Sequence, residues 1–234
     1  MTGSADTGPI AVLIRHGDYH QRKNVPSALQ PFPLTDKGKA QANTCGEELA
    51  RWLSNEQLTL NPIVYSSCQL RAWQTAQLAC DVLIKYGHTL TIEQTPSLAE
   101  RSVGSAANLT VDEIETVLIE DPRFDAPPVA WKSDSDYRLP LQGAESLMMA
   151  GQRVADHLTR TTAQQPAGTV TLHFGHGASF RHAAHLLGVL SRQQIAQYSM
   201  HHARSLHLCH IENGTWAHIG GTWKIRQLTD KTLD

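Results

Sequence analysis

No stretch of this sequence approaches the roughly 18 consecutive apolar residues that a membrane-spanning helix requires, so no membrane partner is expected. The opening residues, MTGSADTGPI, hold neither a basic cluster nor an apolar run, and no secretory signal is read there. Cysteine is scarce. Cys45, Cys68, Cys80 and Cys209 are scattered without a C-x-x-C pair, which argues against a zinc site or a disulfide framework. Buried thiols in a reducing, cytoplasmic setting are the expectation. An excess of charge of either sign is also missing: 20 Lys and Arg stand against 22 Asp and Glu, a net charge of -2. That balance gives no general attraction to nucleic acid, so any anion must be drawn by a local cluster. There is no Gly-Lys-Ser/Thr phosphate loop, no internal repeat and no low-complexity tract.

What is there suits a folded enzyme-sized chain. With 234 residues, 41% hydrophobic and 18% charged, residues 1–234 are expected to form a single domain that carries an insertion. Ile10–Ile14, Pro62–Ser67, the TLTIEQ stretch and Gly168–Phe174 read as strands. Between them lie helical patterns. One is capped by Thr35 or Asp36, with apolar positions Ala40, Cys45, Leu49 and Leu53. A second, LRAWQTAQLACDVLIKYG, closes at Gly87. A third runs from Gly143 to about Thr161, and a fourth from about Ala178 to Leu187, stopped by Gly188. This alternation predicts an α/β fold: a mostly parallel central sheet flanked by helices on both faces, a three-layer sandwich. Residues 101–142, rich in Pro, Asp and Ser and poorly periodic, read as an insertion or lid over the strand ends. The sequence sets no oligomeric state.

Ligands of such sheets sit beyond the carboxyl ends of the strands, and here three strands end on reactive residues. The first ends at Arg15-His16, the second runs through Ser66-Ser67 to Arg71, and a later one ends near His176. Two guanidiniums offer planar forks matched to a phosphoryl group. Two imidazoles add a nucleophile and a further donor near neutral pH. Backbone amides at Gly17 and Gly177 stand where the main chain can approach an anion. Together they describe a phosphate pocket with an imidazole at its floor.

These residues also carry a family likeness. RHG after the first strand, SSCQLRAWQTA after the second and GHGASFR after the late strand resemble the histidine phosphatase superfamily, in its phosphoglycerate mutase-like branch. PLTDKGKAQA, LAERSVG and GAESLMMAGQRV fall in the order that family shows, and the likeness spans roughly Ile10 to Gly188. The resemblance implies His16 as a nucleophile that becomes phosphohistidine, and Arg15, Arg71 and His176 as phosphoryl ligands. It implies Glu100 as the proton donor, because Gly177 stands where another branch carries an acidic donor. Arg22 and Asn24 are then candidates for phosphate contact and Arg101 for a substrate carboxylate. No metal or other cofactor is implied, and the expected partner is a small phosphorylated substrate.

The family holds both mutases and phosphatases. Val103 and Ala178 stand where the mutases carry Tyr and Asn, and the stretch after Glu100 is shorter than theirs. Both features favour a metal-independent phosphatase over a cofactor-dependent phosphoglycerate mutase, with a non-catalytic phospho-ligand binder as the third alternative. His182 and His185, at i, i+3, are expected to pack in their helix, since no third ligand has metal-site spacing. The alternation around His207 and Cys209 suggests a sheet edge, and neither His201 nor His202 is assigned a role. Trp131 and Tyr137 are candidates either for substrate contact or for anchoring the lid.

Overall fold

The computed structural model describes residues 8–211 and 214–226. Residues 1–7, read above as lacking a signal, lie outside the described residues. The first strand, β1 (Ile10–Arg15), is followed by α1 (Asp36–Asn55), the short β2 (Thr59–Leu60), β3 (Ile63–Ser67) and α2 (Leu70–Lys85). Next come β4 (Thr91–Thr95), α3 (Val111–Glu120), α4 (Leu147–Thr161), β5 (Thr169–Gly175) and α5 (Gly177–Leu186). The chain then passes through α6 (Arg192–Gln197), β6 (Tyr198–Ser199), β7 (Ser205–Ile211), β8 (Thr215–Gly220) and β9 (Lys224–Ile225).

The main sheet runs β4-β3-β5-β1-β7-β8, with β2 also on β5. The strands β4, β3, β5 and β1 are mutually parallel, while β7 and β8 close the far side antiparallel. β1 and β5 are buried along nearly their whole length because both of their faces are covered, as central parallel strands require. Strand alternation divides their side chains between two layers. Ile10, Val12, Ile14, Leu172 and Phe174 pack with Cys45, Leu49, Ala79 and Leu83 of α1 and α2. Ala11 and Leu13 pack with Val154, Leu158, Phe180 and Ala184 of α4 and α5 on the other face. The expected three layers are present.

Several details differ from the reading of the sequence. On α1 the buried stripe passes through Gly38 and Ala42, leaving Ala40 on the exposed side. α4 begins at Leu147, where the Ser146 hydroxyl accepts from the Met149 N–H; the preceding Gly143 is instead a turn residue with φ +77°. β7 is not an edge: β1 flanks it on one side and β8 on the other. Cys68 is exposed, unlike the other three thiols. The segment 101–142 is less irregular than its composition suggests. It contains α3, started by a capping box in which Thr110 and Glu113 satisfy each other's backbone N–H. Ile114 and Leu118 of that helix join Val103, Trp131 and Leu139 in a small core of their own.

No helix among the described residues is long and apolar enough to cross a membrane.

Behind the central strands, Tyr65, His157 and His173 form a mutually packed ring cluster with centroids 4.8 to 5.5 Å apart. His173 shares a hydrogen bond with the Thr162 hydroxyl at 3.0 Å. His173 Nδ1 and His157 Nε2 are buried without a hydrogen-bond partner. Burial holds His173 well below the ordinary histidine range and lowers His157 to about 4. A histidine whose folded pKa is depressed leaves the unfolded chain to take up protons first. Stability is therefore flat above about pH 7 and falls as pH drops below the unfolded value of about 6.5, each group adding a slope approaching ~1.4 kcal/mol per pH unit. Thermal melts between pH 7.5 and 4.5 should show a falling Tm, and His157→Gln should flatten the fall. An unchanged slope in that variant would exclude the cluster as its source.

Candidate active site

Because β4, β3, β5 and β1 are parallel neighbours, their carboxyl ends open on one edge of the sheet, and each contributes there. β1 ends at Arg15 and hands on to His16, whose backbone N–H donates to the Gly175 carbonyl at the end of β5. β3 ends at Ser67, β5 leads into His176, and β4 runs through a 3-10 turn (Pro96–Leu98) to Glu100.

His16 is 3% exposed. Its Nδ1 lies 2.8 Å from the Gly17 carbonyl, which can only accept, so Nδ1 carries the hydrogen and Nε2 keeps the lone pair. Burial first, then the charges of Arg71, His176 and Arg15, hold this imidazole well below the ordinary histidine range. It is neutral at neutral pH, the form a nucleophile needs. Gly17 is fixed by crowding: a Cβ there would come within 2.7 Å of the Gly38 carbonyl at the start of α1. Its N–H donates to the Thr75 hydroxyl at 3.0 Å, so this amide is spent on structure and does not reach for an anion.

Arg71, in the first turn of α2, is completely buried. Its guanidinium donates to the carbonyls of Gln30 and Ser27, both at 2.9 Å, and to His176 Nδ1 at 3.2 Å. It also lies 4.7 Å over the Tyr19 ring. With Nδ1 accepting, His176 carries its hydrogen on Nε2 and donates to the Ser67 hydroxyl at 3.0 Å. The His16 and His176 rings stand 5.2 Å apart. Arg15 donates to the Met200 carbonyl at 3.1 Å and passes close to Gly177, where a Cβ would lie 3.3 Å from its side chain.

Glu100 sits at the N-terminus of α5. Its carboxylate accepts from the backbone N–H groups of Ala178 at 3.1 Å, Ser179 at 3.0 Å and Arg101 at 2.9 Å, where the helix dipole favours an anion. Arg15, His16, Glu100 and Arg101 line one open pocket of about 670 Å³, counted out to solvent. Arg101 itself is 7% exposed and lies 5.6 Å over the Trp131 ring.

Arg22 and Asn24 do not join this group. Both side chains are exposed and neither lines the pocket; the Asn24 carbonyl instead accepts from the Val111 N–H and ties its loop to α3. Trp131 is buried, and its indole N–H donates to Glu115 at 2.9 Å, so it anchors the lid. His182 donates from Nδ1 to the Ala178 carbonyl and accepts the Ser135 hydroxyl at Nε2; His185 donates to Leu190. Both are packed helix residues. The His202 ring lies 5.6 Å from that of His16, while His201 is exposed.

Sequence reasoning gave no role to three residues that hold the site. Gln30 knots the loop after β1: its side chain accepts from the Arg22 N–H and donates to the Arg22 and Val25 carbonyls, fixing the carbonyls that Arg71 grips. Arg153 of α4 makes a two-pronged pair with Glu145 at 3.0 and 2.8 Å and donates to the carbonyls of Pro96, Ser97 and Ala99. Glu145 in turn accepts from the Ser102 N–H at 3.1 Å. The pair thus clamps the chain on both sides of Glu100. The stretch GAESLMMAGQRV spans both residues, so the signal was present, but nothing in the sequence linked it to residues 96–102.

Chemically, the edge offers a neutral imidazole with a free lone pair, two guanidiniums and a carboxyl group, which suits transfer of a phosphoryl group. A family model described as the histidine phosphatase superfamily (branch 1) matches residues 11–220. A 2,3-bisphosphoglycerate-dependent phosphoglycerate mutase from Bifidobacterium longum is 27% identical over 206 residues, covering 81% of each chain. A solved structure described as mycobacterial hydrolase 2 superposes with a TM-score of 0.66 at 22% identity, over 95% of this chain and 94% of its own. A mycobacterial glucosyl-3-phosphoglycerate phosphatase in complex with VO3 superposes with a TM-score of 0.64 at 21% identity, over 93% and 98%. These structural likenesses speak to the fold.

Arg153 touches the chain beside Glu100 and not the pocket, so its removal should act through position. Arg153→Ala is expected to lower kcat about 10- to 100-fold with a small change in KM, the cost of a misplaced Glu100 carboxyl. Arg153→Lys should restore part of it. A raised KM with unchanged kcat would contradict the positioning role.

Proposed function

The chain belongs to the histidine phosphatase superfamily, branch 1, and from that premise we propose that it hydrolyses a small phosphate monoester through a phosphohistidine on His16. The observation that carries this reading is the state of His16: buried, neutral, with Nδ1–H bonded to the Gly17 carbonyl and Nε2 left with its lone pair.

In the first step the dianionic ester, lying against Glu100, favours the protonated carboxyl over the carboxylate; Nε2 attacks phosphorus, the P–O ester bond breaks, and Glu100 gives that proton to the departing oxygen. Arg15, Arg71 and His176 bind the phosphoryl oxygens and stabilise the charge spread over them. In the second step a water attacks phosphorus in line with the N–P bond. Glu100 takes the water's proton, the N–P bond breaks, and the electron pair returns to Nε2 as phosphate leaves. The two guanidiniums supply the fixed positive charge, so the scheme runs without a metal.

The curated relatives favour a second reading. The Bifidobacterium relative is a phosphoglycerate mutase, and a mutase would return the phosphoryl group to a second hydroxyl before water arrives. Ala178 and Val103, standing where the mutases carry Asn and Tyr, speak for the hydrolase.

Brief reaction with a labelled phosphate ester should leave acid-labile phosphate on the protein, and His16→Ala should lose both the label and turnover. Glu100→Gln should slow alkyl phosphates about 100-fold more than nitrophenyl phosphate, whose leaving group needs no acid. Equal losses would remove Glu100 from that role. Phosphorus NMR with 3-phosphoglycerate and a trace of bisphosphate separates the readings: free phosphate supports the hydrolase, and 2-phosphoglycerate overturns it.

A further inference from the structure

The loop after β1 sends one aromatic side chain back into the site. Tyr19 follows His16 by three residues, and its backbone bridges antiparallel to Leu34, just ahead of α1. Its ring meets the His16 imidazole at a right angle, with centroids 5.2 Å apart, and the Arg71 guanidinium lies 4.7 Å over it. Tyr19 is 7% exposed and lines the same pocket as Arg15, His16 and Glu100.

Packing accounts for the ring. A phenylalanine would make the same contact with His16 and offer the same face to Arg71. Packing does not account for the hydroxyl, which is buried without a hydrogen-bond partner. A polar group in that state costs stability that an apolar isostere would not, and folded proteins keep few of them. Ser27, on the same pocket wall, exerts the weakest of the influences on the phenol and does not reach hydrogen-bonding geometry with it.

Neighbouring buried donors are already spent on the fold. The Gly17 N–H goes to Thr75, the Arg71 Nη atoms to Gln30, Ser27 and His176, and the His176 Nε2–H to Ser67. The phenol is not spent. Burial pushes its pKa up, and the charges of Arg71 and Arg15 pull it only part of the way back, so it keeps its proton at neutral pH. The charges that act on it, those of Arg71, Arg15 and Glu100, belong to the groups around the space where a phosphoryl group would lie.

We propose that Tyr19 is a further catalytic residue, whose phenol O–H donates a hydrogen bond to a non-bridging phosphoryl oxygen, in the ester and again in phospho-His16. This rests on the hydrolase reading above and adds a residue to the same site. The ring and the hydroxyl then do separate work. The ring supports His16 and Arg71, and the hydroxyl is satisfied by an acceptor that only the ligand brings.

Tyr19→Phe removes the hydroxyl and keeps the ring, so it separates the two. Turnover of nitrophenyl phosphate should lose about 10- to 100-fold in kcat/KM, the worth of a hydrogen bond to a charged group. Melts with and without inorganic phosphate give a readout independent of turnover. Without phosphate the variant should melt at the same temperature as the wild type or higher, because a buried unpartnered hydroxyl has gone. With phosphate its gain in Tm should shrink to that of a ligand bound about ten-fold more weakly. A lower Tm without phosphate would mean that the hydroxyl is bonded within the fold, and would overturn the proposal. Unchanged kcat/KM and an unchanged phosphate shift would overturn it too, leaving the hydrolase reading standing. Weakened phosphate binding in a protein whose wild type turns over no ester would keep Tyr19 as a phosphate donor and overturn the hydrolase reading instead.

Discussion

A guanidinium with no exposed surface, Arg71, is the constraint around which this site is built. Its hydrogen-bond partners are all neutral: two carbonyls and an imidazole, with a phenol ring beneath it. Its Nε is buried without a partner. Taking a cation out of water costs several kcal/mol even after relaxation, and each charge-assisted hydrogen bond returns about 1.5–3 kcal/mol. Three such bonds roughly offset burial, and none of them is made to a carboxylate. An incoming phosphoryl group can supply the missing counter-charge. The neutral partners thus keep the charge available for a ligand, where a salt bridge would consume it.

Much of the surrounding structure keeps those partners in place. Gln30 fixes the loop whose carbonyls Arg71 grips. Thr75 bonds the Arg71 carbonyl at 2.7 Å and receives the Gly17 N–H, coupling the arginine to the turn that carries His16. Ser67 holds the far nitrogen of His176 and so fixes which nitrogen faces Arg71. Arg71, His16 and His176 form a single network, in which the state of each imidazole is set by a bond made on its other side. Glu100 stands apart from that network. It is held by the α5 N-terminus and by the Arg153–Glu145 clamp, on a different layer of the fold. The imidazole of His16 and the carboxyl of Glu100 are thereby positioned by separate supports that meet at the pocket.

What the sequence disclosed follows from the range of the interactions involved. The apolar runs of β1 and β5 and the helical stripes between them are local patterns, and parallel order alone brings Arg15, His16 and His176 to one edge. The layer order was legible for that reason. The capping box at Thr110 was equally local, but the Pro and Asp around it obscured α3 as a helix. Gln30 and Arg153 were illegible on different grounds: their partners are carbonyls, and any residue carries one. No choice of side chain at Pro96, Ser97 or Ala99 reports that an arginine 54 to 57 positions away holds them. The exposed positions of Arg22 and Asn24 show the limit of carrying a motif across a loop. Backbone length and turn geometry decide where those side chains go, and the loop here is organised by Gln30.

The same separation bears on how one fold edge can serve different substrates. The groups proposed to act on phosphorus stand at strand ends, where register fixes them: Arg15 pairs with Gly175 across β1 and β5, and the His16 N–H donates to the Gly175 carbonyl. Moving them would cost sheet hydrogen bonds. Groups facing the rest of the pocket come from the loop after β1, the lid and the start of α5. Charge there can change without disturbing the register. Selectivity then depends on residues that the sheet does not hold. The chemistry depends on residues that it does.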